Sequence, residues 1–191
     1  FERDPSGFDA LIGNPPYIAS KNSPVPPLGK GGLRGGASRG QSDSYLLFLS
    51  AALDHDLVRT GGMLSMVLPD PMLVRANAAD IRRRLVTDWT VESILHISGA
   101  FPDAMVANVV PVCRNRVGEG TTFQASRIER TADRRGFSLR PEQTVRELAR
   151  PVRREAVLSQ AKSEFLNLLE HGPFGDIIRR IHGDDAVVDL V

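Results

Sequence analysis

Residues Asn14-Pro15-Pro16-Tyr17 are the part of this sequence whose types and spacing could do chemistry. The amide oxygen of Asn14 and the main-chain carbonyl of Pro15 are two neighbouring acceptors, and the prolines stiffen the segment that carries them. Each can take one N–H of an amine conjugated to an aromatic ring, which draws the nitrogen lone pair out of the ring and makes a poor nucleophile a usable one. Tyr17 adds an aromatic face on which a planar base could rest after leaving a stack. The plain alternative is a strand-ending turn with an aromatic lid, because a residue before proline is held extended. By chance such a tetrapeptide should arise roughly a few times per million positions, which in so short a chain favours the chemical alternative.

The elements that must position these residues alternate in type. Phe8-Asp9-Ala10-Leu11-Ile12-Gly13, directly ahead of the motif, is a nearly continuous apolar run, the pattern of a strand buried on both faces of a parallel sheet. Residues 19–42 are rich in Gly, Ser and Pro, lack any acid, and carry Lys21, Lys30, Arg34 and Arg39. Such a cationic loop could close on nucleic-acid phosphates or simply face solvent. Leu46, Leu49, Leu53 and Leu57 predict a helix over residues 44–59, ended by Gly61-Gly62. Residues 63–68 predict a strand closed by Pro69, and residues 72–85 a second helix with Ile81 and Leu85 inward and Arg82-Arg83-Arg84 largely on a solvated face.

Residues 91–97 and 106–113 are the last clear strands, and the link over 98–105 is too short for a helical crossover, which predicts an antiparallel pair. Pro111 falls inside the second of them and would remove a ladder donor. Beyond Asn115 the pattern weakens into an arginine-rich stretch, then amphipathic segments at 163–170 and 174–181. The alternation implies α/β layers.

Composition narrows the function class. A net charge of +1 gives no global field for a polyanion, so nucleic-acid contact would rest on local patches. The single cysteine, Cys113, rules out an internal disulfide and suits a reducing cytosol. No apolar run reaches membrane-spanning length, so a cytoplasmic protein without membrane association is expected. The histidines His55, His96, His171 and His182 lack metal-ligand spacing, Asp70 between prolines reads as a turn residue, and no metal is implied. The first residue is Phe1 and the last Val191, as though both ends were cut within a longer protein.

The motif and its surroundings resemble the gamma-type DNA adenine-N6 methyltransferases, including fused restriction-modification enzymes. The likeness extends through Asp43-Ser44-Tyr45-Leu46-Leu47-Phe48, Gly61-Gly62-Met63-Leu64-Ser65-Met66-Val67-Leu68-Pro69 and Ile81-Arg82-Arg83-Arg84-Leu85, covering about residues 8–115. It implies strands four to seven of a Rossmann-like methyltransferase fold over residues 1–116, with a mainly helical connector over 117–191 leading to a target-recognition module. The implied reaction moves a methyl group from S-adenosylmethionine to N6 of an adenine flipped out of double-stranded DNA. Asn14, Pro15, Pro16 and Tyr17 would be catalytic, and Asn14 and Pro16 would also border the cofactor. Phe101, in Gly99-Ala100-Phe101-Pro102, would be the second aromatic against the base, although from residue type alone it could equally be a core phenylalanine.

No G-x-G-x-x-G turn is present, and in this family that turn precedes the fourth strand. The expectation is therefore a fragment, inactive alone, whose partner is the N-terminal half of the same protein, with a nuclease fused or separate. The alternatives are methylation of a protein glutamine or an RNA base, and a non-catalytic DNA-binding specificity subunit.

Overall fold

A seven-stranded mixed sheet carries the chain in the computed structural model, which describes residues 7–18, 43–54, 57–99, 107–117, 120–159 and 165. The first elements are β1 (Phe8–Gly13), α1 (Ser44–Asp54), β2 (Val58–Met66) and β3 (Leu68–Pro69). After two 3-10 turns come α2 (Ala79–Thr87), β4 (Thr90–Ile97) and β5 (Asn108–Arg114). The last are β6 (Thr122–Ile128), α3 (Thr131–Leu139), α4 (Pro141–Leu148), β7 (Arg150–Arg153) and α5 (Arg154–Ser159). The strand order is β1-β2-β5-β4-β6-β7, with β3 beside β5. Strands β1 and β2 run parallel, as do β4 and β6, whereas β5 is antiparallel to β2, β3 and β4. This is an α/β fold, and its antiparallel β4–β5 pair is the one the short link predicts.

Strands and helices share the core. Leu64, Ile94, Val109 and Phe123 from the strands pack with Leu46 and Leu49 of α1, Leu85 of α2 and Val157 of α5. Phe165 closes this core, its ring edge-on to Phe123 at 6.0 Å and its N–H bonded to the Leu73 carbonyl at 2.9 Å. The other parts of the segments 163–170 and 174–181 lie outside the described residues.

Several expectations need correction. β1 is not buried on both faces: among the described residues it is the end strand of the sheet, with Phe8 50% and Ile12 83% exposed. Helix α1 ends at Asp54, and Gly61-Gly62 lies within β2 instead of closing a helix. There the glycines build a bulge, since Phe8 pairs with Val58 and Ala10 with Met63, so five steps along β2 oppose two along β1. Gly61 has φ 79°, and a Cβ on Gly62 would lie 2.7 Å from Val58 Cγ1 and 2.9 Å from the Asp9 carbonyl. The second helix begins at Ala79, not 72, because Asp70–Leu73 and Ala76–Ala78 tighten into 3-10 turns around Pro71.

Strands β6 and β7 were not expected beyond Asn115, yet they extend the sheet. Phe123, Ala125 and Val152 are buried there while Gln124 and Pro151 are exposed, an alternation that the surrounding arginines hide. Pro111 does sit in a central strand, and the ladder adjusts around it. Pairing of β5 stops at Ser65 opposite Val112 and resumes at Leu68 opposite Val109, so in the same register Pro111 and Val110 face Met66 and Val67 without bridging to them, although Met66 still pairs with Gly13 of β1.

Arg82 is not on a solvated face. It is fully buried, and its Nη1 donates to the carbonyls of Met72 at 2.7 Å and Arg75 at 2.8 Å, tying α2 to the turns before it. Arg84 is part-buried and pairs with Asp54 of α1 at 2.7 Å, which leaves Arg83 exposed. Replacement Arg82→Met should cost about 3 kcal/mol, since one buried and one part-buried carbonyl lose a charged donor. A fall in the urea midpoint at unchanged slope would register it.

His96, on β4 opposite Val109 and Arg127, is 3% exposed. Burial first, and then Arg127, hold its pKa below the usual value; Asp70 opposes this from 3.8 Å, too far for a hydrogen bond. The unfolded chain thus binds this proton more readily than the folded one, so stability is held above pH 6.5 and is lost as pH falls below it towards the folded value. His96→Leu should flatten that acid slope in urea titrations run from pH 7.5 down to about 5; an unchanged slope would show that His96 does not set it.

Candidate active site

The end of β1 is fixed by its neighbours before the turn begins. Val67 N–H donates to the Gly13 carbonyl at 2.9 Å, which pins the last residue of the strand to the gap in the β5 ladder. Asn14 and Pro16 are then exposed and Pro15 buried. Both prolines lack an N–H, so this stretch asks little of its surroundings.

Ser44, the first residue of α1, catches the exit of the turn. Its hydroxyl donates to the Pro16 carbonyl and accepts the Ile18 N–H at 2.9 Å, while its own N–H donates to the Ile18 carbonyl at 2.9 Å. The segment before α1 is braced in turn by the Asp43–Arg75 ion pair at 3.1 Å. Bonds to the described residues therefore fall on Gly13, Pro16, Tyr17 and Ile18, and leave the Asn14 amide and the Pro15 carbonyl unengaged among them.

Tyr17 is half held and half open. Its hydroxyl donates to the Val67 carbonyl at 3.0 Å and accepts from Asn108 Nδ2 at 3.1 Å, and its ring meets Tyr45 at 6.2 Å and 79°. The residue remains 39% exposed. Burial raises its pKa and the Asn108 donor works against the rise. Burial likewise pushes the Tyr45 hydroxyl up to about 12, so both phenols are neutral at physiological pH.

These groups gather at the carboxyl ends of β1, β2 and β4, where open α/β sheets place their ligand sites. Asn108, which begins β5, brings the root of the 98–107 link to Tyr17. On the far side of that link, Arg134 of α3 reaches the Ser98 carbonyl at 3.5 Å. Phe101 itself, with Lys21, Lys30, Arg34 and Arg39, lies outside the described residues. Two hollows elsewhere, one lined by Trp89, Phe123 and Arg154 and one along Arg140–Arg146 of α4, do not include the Asn14–Tyr17 turn, which stands at the open edge of the sheet. Among the described residues no cluster of His, Cys, Asp or Glu could hold a metal, and no helix is long and apolar enough to cross a membrane.

Ser44 and Asn108 are the site residues that the motif alone does not announce. A serine opening an apolar helical stripe could have pointed to the first; nothing local marks the second, because its role exists only across the sheet.

Residues 1–101 match the family model described as Eco57I restriction-modification methylase. No curated protein matches the chain. Among solved structures, a protein described as a modification subunit of a type I restriction enzyme from Vibrio vulnificus YJ016 is similar with a TM-score of 0.62 at 15% identity, over 83% of this chain and 36% of that one. The type IIG restriction endonuclease BpuSI is similar with a TM-score of 0.61 at 18% identity, over 90% of this chain and 22% of that one. A protein from Listeria monocytogenes described as a class I S-adenosylmethionine-dependent methyltransferase gives 0.53 at 13%, over 73% of this chain and 42% of that one. At such identities the likeness is one of fold, and the chain spans less than half the length of each of these proteins. The family match is of another kind: it takes in more than half of the chain, runs from before β1 to beyond β4 and contains the Asn-Pro-Pro-Tyr turn. The chain belongs to the Eco57I restriction-modification methylase family.

Proposed function

We propose that this chain is the carboxyl-terminal part of the catalytic domain of a DNA methyltransferase acting on N6 of adenine. The observation that carries the proposal is the division of labour in the turn: Gly13, Pro16, Tyr17 and Ile18 are tied to the scaffold, while the Asn14 amide and the Pro15 carbonyl have no partner among the described residues. Fixed acceptors with free lone pairs are what an aromatic amine needs to become nucleophilic.

Asn14 Oδ1 and the Pro15 carbonyl each accept one N6 hydrogen, and the nitrogen lone pair is freed for alkylation. Tyr17 supports the adenine, which has left the duplex stack, and Phe101 approaches from the other side. Lys21, Lys30, Arg34 and Arg39 contact the phosphates of double-stranded DNA. S-adenosylmethionine, when bound, supplies the electrophilic methyl group. Asn14 and Pro16, exposed at the end of the edge strand, are the residues of this chain that would border it. The rest of the cofactor pocket is assigned to the preceding half of the protein. Support for that assignment comes from the exposure of Ile12 and Phe8 on β1, a face and edge that a further strand and its helices would cover. In this scheme residues 1–116 carry the chemistry, and 117–191, which begin by adding β6 and β7 to the sheet, lead towards target recognition in a cytoplasmic enzyme.

The test is expression of the full-length protein in a bacterial host without adenine methyltransferases, followed by single-molecule sequencing of its DNA. N6-methyladenine in one sequence motif is expected; unmodified DNA together with methylated protein or RNA would overturn the proposal. Asn14→Ala should lower turnover with radiolabelled S-adenosylmethionine by at least about a hundredfold, with cofactor affinity near wild type. Ser44→Ala should cost about 1 kcal/mol in urea unfolding. It should also slow methyl transfer on the order of tenfold or more, because the exit of the turn is released.

A further inference from the structure

Tyr17 is seated through its hydroxyl, and the donors and acceptors around that hydroxyl admit one arrangement. The single phenolic proton goes to the Val67 carbonyl at 3.0 Å, a group that can only accept. The oxygen must then be met by a donor, so Asn108 turns its NH2 group towards it, at 3.1 Å, and points Oδ1 elsewhere. That Oδ1 is buried with no partner among the described residues.

Asn108 has little freedom to give way. It is 1% exposed, opens β5, and is paired through its backbone with Pro69 of β3 on one side and Ile97 of β4 on the other. An apolar β-branched residue would suit a buried strand position better than an amide with an orphaned oxygen. The asparagine therefore serves something other than the packing of β5.

We infer that Asn108 is a positioning residue for Tyr17, holding the ring at a fixed height and tilt beside the Asn14–Pro15 acceptors. The inference rests on the proposal that Tyr17 supports a displaced base. A stacking ring works only if it waits in place; a tyrosine held by Val67 alone could pivot about that one bond towards Tyr45. Asn108 removes the pivot by giving the hydroxyl a second, nearly immobile contact. It also follows directly on Ala107, whose carbonyl takes the Asp70 N–H at 2.9 Å, and so ends the link that carries Phe101.

The experiment uses the full-length protein and a duplex containing its sequenced motif, with adenine for kinetics and 2-aminopurine at the target position as a fluorescent report of base displacement. Asn108→Leu keeps the shape of the side chain and removes the donor. Its kcat/KM for methyl transfer should fall about three- to tenfold, the worth of one neutral hydrogen bond, and the 2-aminopurine signal should weaken. Tyr17→Phe removes the same contact from the other side without touching β5, and should show a similar loss even if the leucine variant folds poorly. In the double variant the effects should not add. Additive losses, or an Asn108→Leu enzyme with wild-type kinetics and fluorescence, would overturn the assignment of Asn108 alone. A Tyr17→Ala enzyme that still displaces the base and methylates normally would instead bring down the stacking role of Tyr17, and the two failures are told apart by which variant is silent.

Discussion

A proline in the middle of a sheet leaves a place where a strand cannot be fully paired, and the site is built around that place. In the register that joins β5 to β2 and β3, Pro111 and Val110 face Met66 and Val67, where no bridge forms. Val67 is thus released from the ladder, and its two backbone groups turn to β1 and the segment after it: the N–H holds Gly13 and the carbonyl takes the Tyr17 hydroxyl. A carbonyl left bare at such a position would cost about 1–3 kcal/mol. The aromatic side chain that meets it is fastened by the same act.

Rigidity and openness are divided between neighbouring residues. Ser44 occupies both the Pro16 carbonyl and the Ile18 N–H, so the polypeptide leaving the turn is locked to the first turn of α1. The two prolines need no donors of their own to be satisfied and limit φ where the chain must not bend. What remains without a partner among the described residues is the amide of exposed Asn14 and the carbonyl of buried Pro15. In the proposed reaction such preorganisation would matter, because acceptors that need not reorganise lose nothing when charge shifts towards them. The arginines show a parallel division, since Arg82 and Arg84 are spent on tying α2 to its surroundings and only Arg83 faces outward.

What could be read from residues alone was what depends on short-range pattern. The apolar run before Asn14, the stripe of leucines in α1 and the brief link between β4 and β5 each dictate local form, and each leads to the element found. The Gly61-Gly62 pair misleads because the same freedom that ends a helix also permits a bulge, and only the approach of β1 decides between them. Arg82 misleads because a long cation can be wholly buried when two carbonyls from adjacent turns converge on it. β1 misleads because an apolar run reads as a strand covered on both faces, whereas among the described residues nothing lies beyond it in the strand order. Of the site, the turn was legible in its own letters, but Asn108 was not, because a contact between positions 91 residues apart leaves no local trace.

That separation has a bearing on when the site comes into being. Tyr17 takes its two anchors from residues 50 and 91 positions further on. At translation rates of about 5–20 residues per second, the second anchor leaves the ribosome roughly five to eighteen seconds after the tyrosine. Throughout that interval a nascent chain carries the motif without the second of the contacts that seat Tyr17, so the turn takes its shape well after its own residues have been made.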